Sequence, residues 1–240
     1  MKLLAFDTST ETLSVAVCAG PGTPVLEHTG SGGAQASAAL IPAIQALLAR
    51  AGLALPQLDA IAFGRGPGSF TGLRTAAAVA QGLGFGAGVP VLAIDTLLAI
   101  AEEAHAATGA TRVVALLDAR MDEVYFAAYE REGARWAVRQ PPSLGKPEDA
   151  HVPPGWTIAG NVLELHGGRL PADRPRTAAL PTARALLRLA PVELAGGTAH
   201  RAAQALPLYI RDKVAQTTEE RAADRARKES TRGAAAAQRT

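Results

Sequence analysis

Asp59-Ala60-Ile61-Ala62-Phe63 runs directly into Gly64-Arg65-Gly66-Pro67-Gly68-Ser69-Phe70-Thr71-Gly72, and this stretch decides the fold. The first five positions are an apolar run of strand length. The glycines and Pro67 then make a turn. The small and apolar residues beyond predict a helix over 71–86, and Val89–Ile94 reads as the next strand. Strand, glycine turn, helix, strand is a βαβ unit with parallel pairing, and Thr96–Ala107 extends the alternation with another helix. The chain is therefore read as α/β.

Working outward, Lys2–Phe6 and Ser14–Cys18 are strand-like runs separated by the polar turn Asp7-Thr8-Ser9-Thr10-Glu11-Thr12. Val25–Thr29 is a third candidate strand. Leu40, Ile41, Ile44, Leu47, Leu48 and Ala51 recur at helical spacing; Pro42 opens or kinks that helix and Gly52 ends it. Further on, Arg112–Asp118 and Val124–Tyr129 flank the turn Ala119-Arg120-Met121-Asp122-Glu123. Both hairpins carry an Asp where the first strand ends, which suggests a duplicated lobe. Two such lobes face to face would put Asp7 and Asp118 at the mouth of a shared cleft. Beyond Tyr129, Pro141-Pro142 and Pro153-Pro154 mark loops, Trp156–Gly160 a strand, Thr182–Leu189 a helix and Leu206–Ile210 a last apolar patch. The expected division is a first lobe over 1–107, a second over 108–215, and a charged, Ala-rich tail over 216–240 that is disordered or a frayed helix.

Composition narrows the classes. Of 240 residues, 48% are hydrophobic, which excludes a disordered polymer, and only 4% are aromatic, so the core must be aliphatic and rich in Ala. Lys+Arg number 24 against 22 Asp+Glu, a net +2 that argues against a broad phosphate-tracking surface and so against a direct RNA-binding module. One cysteine, Cys18, can form neither an intramolecular disulfide nor a Cys-based zinc site. His28, His105, His151, His166 and His200 form no pair at helical ligand spacing. The N-terminal apolar run is too short for a signal peptide before Asp7. The uncharged span between Arg74 and Asp95 holds too many glycines, and Pro90, for a membrane helix. The expectation is a soluble, cytoplasmic protein without membrane contact.

The glycine-rich turn lacks the Lys-Ser/Thr of a P-loop and the spacing of a dinucleotide fold. An anion site at a helix N-terminus capped by Ser69 or Thr71 is one reading. A tight turn with close packing is favoured. Thr75, Ala78, Gly82 and Gly86 form a small-residue stripe, either internal or a partner surface. Asp7-Thr8-Ser9-Thr10 is similar to the first phosphate loop of actin-like ATPases and sugar kinases, which want a glycine after the Asp; Thr8 and Ser9 stand there instead. The cleft, from Asp7, Thr8, Ser9, Asp118 and Arg120, is then degenerate or working. Arg120 either pairs with a neighbouring acid or lines that cleft.

Leu3-Leu4-Ala5-Phe6-Asp7-Thr8-Ser9-Thr10-Glu11, Gly64–Arg74, Asp118-Ala119-Arg120-Met121-Asp122-Glu123-Val124-Tyr125 and the closing Pro207-Leu208-Tyr209-Ile210-Arg211 together resemble the bacterial TsaB (YeaZ) family, in order, from residue 1 to about 215. The resemblance implies a two-lobed actin-like ATPase (ASKHA) fold with duplicated lobes and a degenerate nucleotide cleft. It implies a non-catalytic subunit for threonylcarbamoyl transfer to the adenosine beside the anticodon in tRNAs reading codons that start with A. The partners it implies are a TsaD-type transferase and a TsaE-type ATPase, with tRNA met through the complex and a homodimer when the chain is alone. No cofactor is then required by this chain, ATP and a metal ion being used by partner chains. Thr96 and Ile100 stand where TsaD-like proteins carry a His-x-x-x-His metal pair. The partner surface would use Ile41, Ile44, Gln45, Arg74, Thr75, Ala78 and Gly82, on helices over 35–51 and 71–86. Ser31–Ser37 is more Gly- and Ala-rich than the family's usual lead-in. The alternative reading, motivated by Asp7 and Asp118, is an active small-molecule kinase or ATPase of the same fold.

Overall fold

The computed structural model describes residues 1–199 and 201–211; the expected tail over 216–240, and His200, lie outside them. The first half runs β1 (Leu3–Asp7), β2 (Thr12–Cys18), β3 (Leu26–Ser31), α1 (Ala36–Ala51), β4 (Ala60–Gly66), α2 (Phe70–Ala87), β5 (Val91–Asp95) and α3 (Thr96–Thr108). The second runs β6 (Arg112–Asp118), β7 (Val124–Glu132), β8 (Arg135–Gly145), β9 (Thr157–Gly160), α4 (Leu163–His166), β10 (Arg176–Ala178) and α5 (Ala183–Ala195).

Two five-stranded sheets share one topology. The first has the order β3-β2-β1-β4-β5 and the second, read from its other edge, β8-β7-β6-β9-β10. In each, an antiparallel meander is joined to two parallel strands. Thus β1 corresponds to β6, and Asp7 to Asp118, as the repeated hairpin suggested. The fold is the two-lobed α/β architecture expected.

Strand alternation sorts the core. Leu4 and Phe6 of β1 face α1 and α2, with Val15, Ile61 and Phe63 beside them. Leu3 and Ala5 face the other way, with Ala16, Ala60 and Ala62. Those alanines make a flat surface on which α5 lies through Ala183, Leu186 and Ala190. Helix α3 sits between the sheets, burying Ala99 toward the first and Leu97, Ile100 and Ala104 toward the second. Because α3 and α5 fill this space, Met1–Ile210 hold together as one unit.

Local chemistry explains the element ends. Left-handed glycines close three helices: Gly52 after α1, Gly88 after α2 and Gly109 after α3. Pro42 lies in the second turn of α1, on its exposed side, where water can serve the carbonyl left without a donor. One expectation is corrected. Pro141-Pro142 do not mark a loop but lie within β8. That strand is an edge, and the prolines fall opposite the irregular register around Ala128, where no ladder hydrogen bond is lost. The short β10 had not been anticipated either.

Candidate functional site: a closed first loop and an open helical face

The β1–β2 loop is clamped against the glycine-rich turn. Ser69 N–H donates to Ser9 O at 2.7 Å, and Thr8 Oγ1 donates to Gly72 O at 2.7 Å. A Cβ on Gly68 would stand 2.5 Å from Ser9 O, and one on Gly72 only 1.8 Å from Thr8 O. A Cβ on Gly64 would overlap Asp7 Oδ2 at 1.7 Å. The glycines therefore admit the chain's own first loop. No space remains between the β1–β2 loop and the glycine-rich turn, which touch through backbone atoms. Ser69 occupies the N-cap position of α2, but its side chain makes no capping bond.

Asp7 is wholly buried rather than at an open mouth. Its Oδ1 accepts from Ser9 N–H at 2.9 Å and from Ser9 Oγ at 2.6 Å, whereas Oδ2 has no partner. Burial pushes its carboxyl up to about 6, against the opposing pull of the Ser9 hydrogen bonds and the neighbouring Thr96 hydroxyl. Thr96 Oγ1 is itself buried and unpartnered. Ile100, one turn further along α3, is packed into the core.

Asp118 and Arg120 lie apart from this clamp. Asp118 Oδ1 accepts from Arg120 N–H at 2.9 Å, while the Arg120 guanidinium reaches Glu11 Oε1 at 2.9 Å and Asp118 Oδ2 at 3.4 Å. Arg120 thus pairs with its neighbour Asp118, and through Glu11 it also ties the second hairpin to the first loop. Arg120, Met121 and Asp122 all have positive φ, at 61°, 57° and 63°, an uncommon run without glycine. Arg169 braces it by pairing with Asp122.

The outer face of α1 and α2 is open. Ile41 is 43% exposed and Phe85 85%; Gln45, Arg74, Ala78 and Gly82 are exposed, and Thr75 is half-buried. Nothing lies within 4 Å of a Cβ built on Gly82 or Gly86, so the small-residue stripe faces outward. Ile44 is a correction: it is 1% exposed and belongs to the core beneath α1, with Leu40 and Leu47.

Two features escaped sequence reading. The segment after α5 folds back along α2. Leu208 N–H donates to Arg65 O at 2.7 Å, Gln81 Nε2 donates to Ala205 O at 2.8 Å, and Tyr209 packs on Phe70 with ring centroids 5.3 Å apart. Only the adjacency of Phe70 and Tyr209 to two quoted motifs hinted at it. The second is Glu102. It is nearly buried on α3, and its carboxylate accepts from Arg131, Trp136 Nε1 and Arg188, each at 2.9 Å. A Glu in an amphipathic helix, next to Glu103, carries no sign of partners 29 to 86 residues away.

Comparison with known proteins fits this geometry. The family model described as "TsaD: tRNA N6-adenosine threonylcarbamoyltransferase" matches residues 32–163. The Escherichia coli protein named tRNA threonylcarbamoyladenosine biosynthesis protein TsaB is 36% identical over 90% of this chain and 96% of its own length. The Haemophilus influenzae protein of the same name is 38% identical over 89% and 95%. The chain belongs to the TsaB family. A solved structure titled YeaZ from Pseudomonas aeruginosa matches with a TM-score of 0.80 and 41% identity, over 87% of this chain and 99% of that one. No helix among the described residues is long and apolar enough to cross a membrane.

Proposed function

We propose that this chain serves tRNA threonylcarbamoyladenosine biosynthesis as a non-catalytic subunit, the partner and activator of a TsaD-type transferase that modifies the adenosine beside the anticodon. A TsaE-type ATPase completes the set, tRNA is met through the complex, and the chain pairs with itself when alone. ATP and a metal ion belong to the partner chains. The observation that carries this reading is the packed first loop: Thr8 O and Ser9 O lie directly against Gly72 and Gly68, so the loop is held by the chain's own glycine-rich turn. A kinase or ATPase of the same fold would need that loop open and its carboxylate facing solvent, and Asp7 is buried. The open α1/α2 face, apolar at Ile41 and Phe85 and stepped at Gly82, suits docking of another helical surface.

The test is the mass of the species formed when the chain is mixed with a TsaD-type transferase. A 1:1 complex is expected. Ala78→Trp, at an exposed site, should abolish it while leaving thermal stability within a degree or two. A complex that survives Ala78→Trp unchanged would rule out this face.

A further inference from the structure

The outer face of α1 and α2 has a lopsided charge. Neither helix contains an Asp or a Glu, while α1 carries Arg50 and α2 carries Arg74. The segment 202–211 alongside α2 adds no acid. Arg74 is also held in place. Its guanidinium lies 3.6 Å from the centroid of the Phe70 ring, and its Nε–H donates to Tyr209 Oη at 3.1 Å. Stacking and one hydrogen bond fix the plane of the fork. Arg74 is exposed, and no carboxylate among the described residues forms an ion pair with it. Arg74 lies in the second turn of α2, toward the positive end of the helix, so its charge gains nothing from the helix dipole.

We infer that Arg74 is a specificity-determining residue of this face: it receives a carboxylate from a partner chain of different sequence and so favours the heteromeric complex over the homodimer. The inference rests on the docking reading above and adds the chemistry of the contact. A second copy meeting this chain through the same helices brings arginine and no acid. Two cations are then desolvated without a counter-charge. A partner whose facing helix presents an Asp or Glu forms a bidentate, charge-assisted pair with a fork already oriented for it. The aromatic bed of Phe70 and Tyr209 excludes water around that pair, as at an interface hot spot.

Affinity for the TsaD-type transferase, by titration calorimetry, and self-association, by sedimentation equilibrium, are measured for the full-length chain and for Arg74→Ala, Arg74→Lys, Ala78→Trp and Asp212→Asn, the last at the first acid in the sequence after Tyr209, outside the described residues. Arg74→Ala should weaken the heteromeric complex by about tenfold or more and flatten its salt dependence, while self-association stays the same or tightens. Arg74→Lys, which keeps the charge but not the fork, should fall between. Asp212→Asn should change neither. The inference is overturned if Arg74→Ala leaves transferase affinity within about twofold, or weakens both associations equally. It is also overturned if Asp212→Asn reproduces the Arg74→Ala loss, which would place the counter-charge on this chain. If Ala78→Trp leaves transferase binding intact, the docking reading itself has failed, and this contact with it.

Discussion

Replacing Asp7 with Asn should stabilise this protein at neutral pH. The carboxyl is wholly buried and its pKa rises from an ordinary 3.8 to about 6. That rise of about two units, at about 1.4 kcal/mol each, means that the ionised native state carries a cost of about 3 kcal/mol. A folded pKa above the unfolded one fixes the sign. The group's favourable contribution is complete below about pH 4 and is lost as pH climbs through about 6. Asn at this site is permanently neutral. Its Oδ1 can keep both Ser9 hydrogen bonds, and its Nδ2 can turn to the unpartnered Thr96 hydroxyl. Burying an amide with one partner takes back about 1–2 kcal/mol, which leaves a net gain of about 1–2 kcal/mol at pH 8. For a chain of this size that is a rise in Tm of about 2–8 °C. Thermal unfolding of both proteins from pH 4 to pH 8 is the assay. The difference in Tm should be negative by a few degrees at pH 4, where the amide's cost outweighs the small charge cost it removes, cross zero near pH 5 and level off above about pH 6.5. A variant less stable than the parent at pH 8, or a difference flat across the range, would refute the reasoning. It would mean that the Asp7 carboxylate is favourably paired in the native state.

Other substitutions probe the remaining supports. Gly72→Ala should cost about 3 kcal/mol or more, because its Cβ would stand 1.8 Å from Thr8 O and only a backbone shift can relieve that; Gly82→Ala, with open space at its Cβ, should gain up to about 1 kcal/mol. Denaturant unfolding of the two side by side checks both signs. Glu102→Gln should lose about 2–3 kcal/mol, since it leaves Arg131 without its carboxylate while Arg188 keeps Glu103; a change below about 0.5 kcal/mol in the same measurement would show that the cluster contributes little.

Much of the architecture was legible because its signals are local. Asp59–Phe63 with its glycine turn, the helix ended by Gly52 and the paired hairpins at Asp7 and Asp118 all announce themselves within ten residues or so. Close packing at the glycine-rich turn was expected from a helix, whereas the surface that packs on Gly68 and Gly72 is the first loop. What failed depended on distance or on context. Ile41 and Ile44 share a helical stripe by spacing, yet one faces solvent and the other the core, because which flank of a stripe is covered is settled by the sheet beneath it. Pro141-Pro142 read as a loop because a proline excludes a central strand but not an edge one. Asp7 and Asp118 look equivalent in sequence and are equivalent in topology, but only Asp7 has a glycine turn pressed over it. Glu102 gathers partners from three other elements, and no one-dimensional pattern encodes that.

On the proposed reading the chain keeps the two-lobed shell of an ATP-handling fold, with its first loop packed on its own glycine-rich turn, and acts by docking. That reading is tested most directly by threonylcarbamoyladenosine formation on tRNA, measured with this chain alone, with a TsaD-type transferase and TsaE-type ATPase alone, and with all three together. Product is expected only in the complete mixture, at an undiminished rate when Asp7→Asn replaces the parent chain. Product from the lone chain, or loss of activity in the Asp7→Asn mixture while the complex still forms, would contradict it.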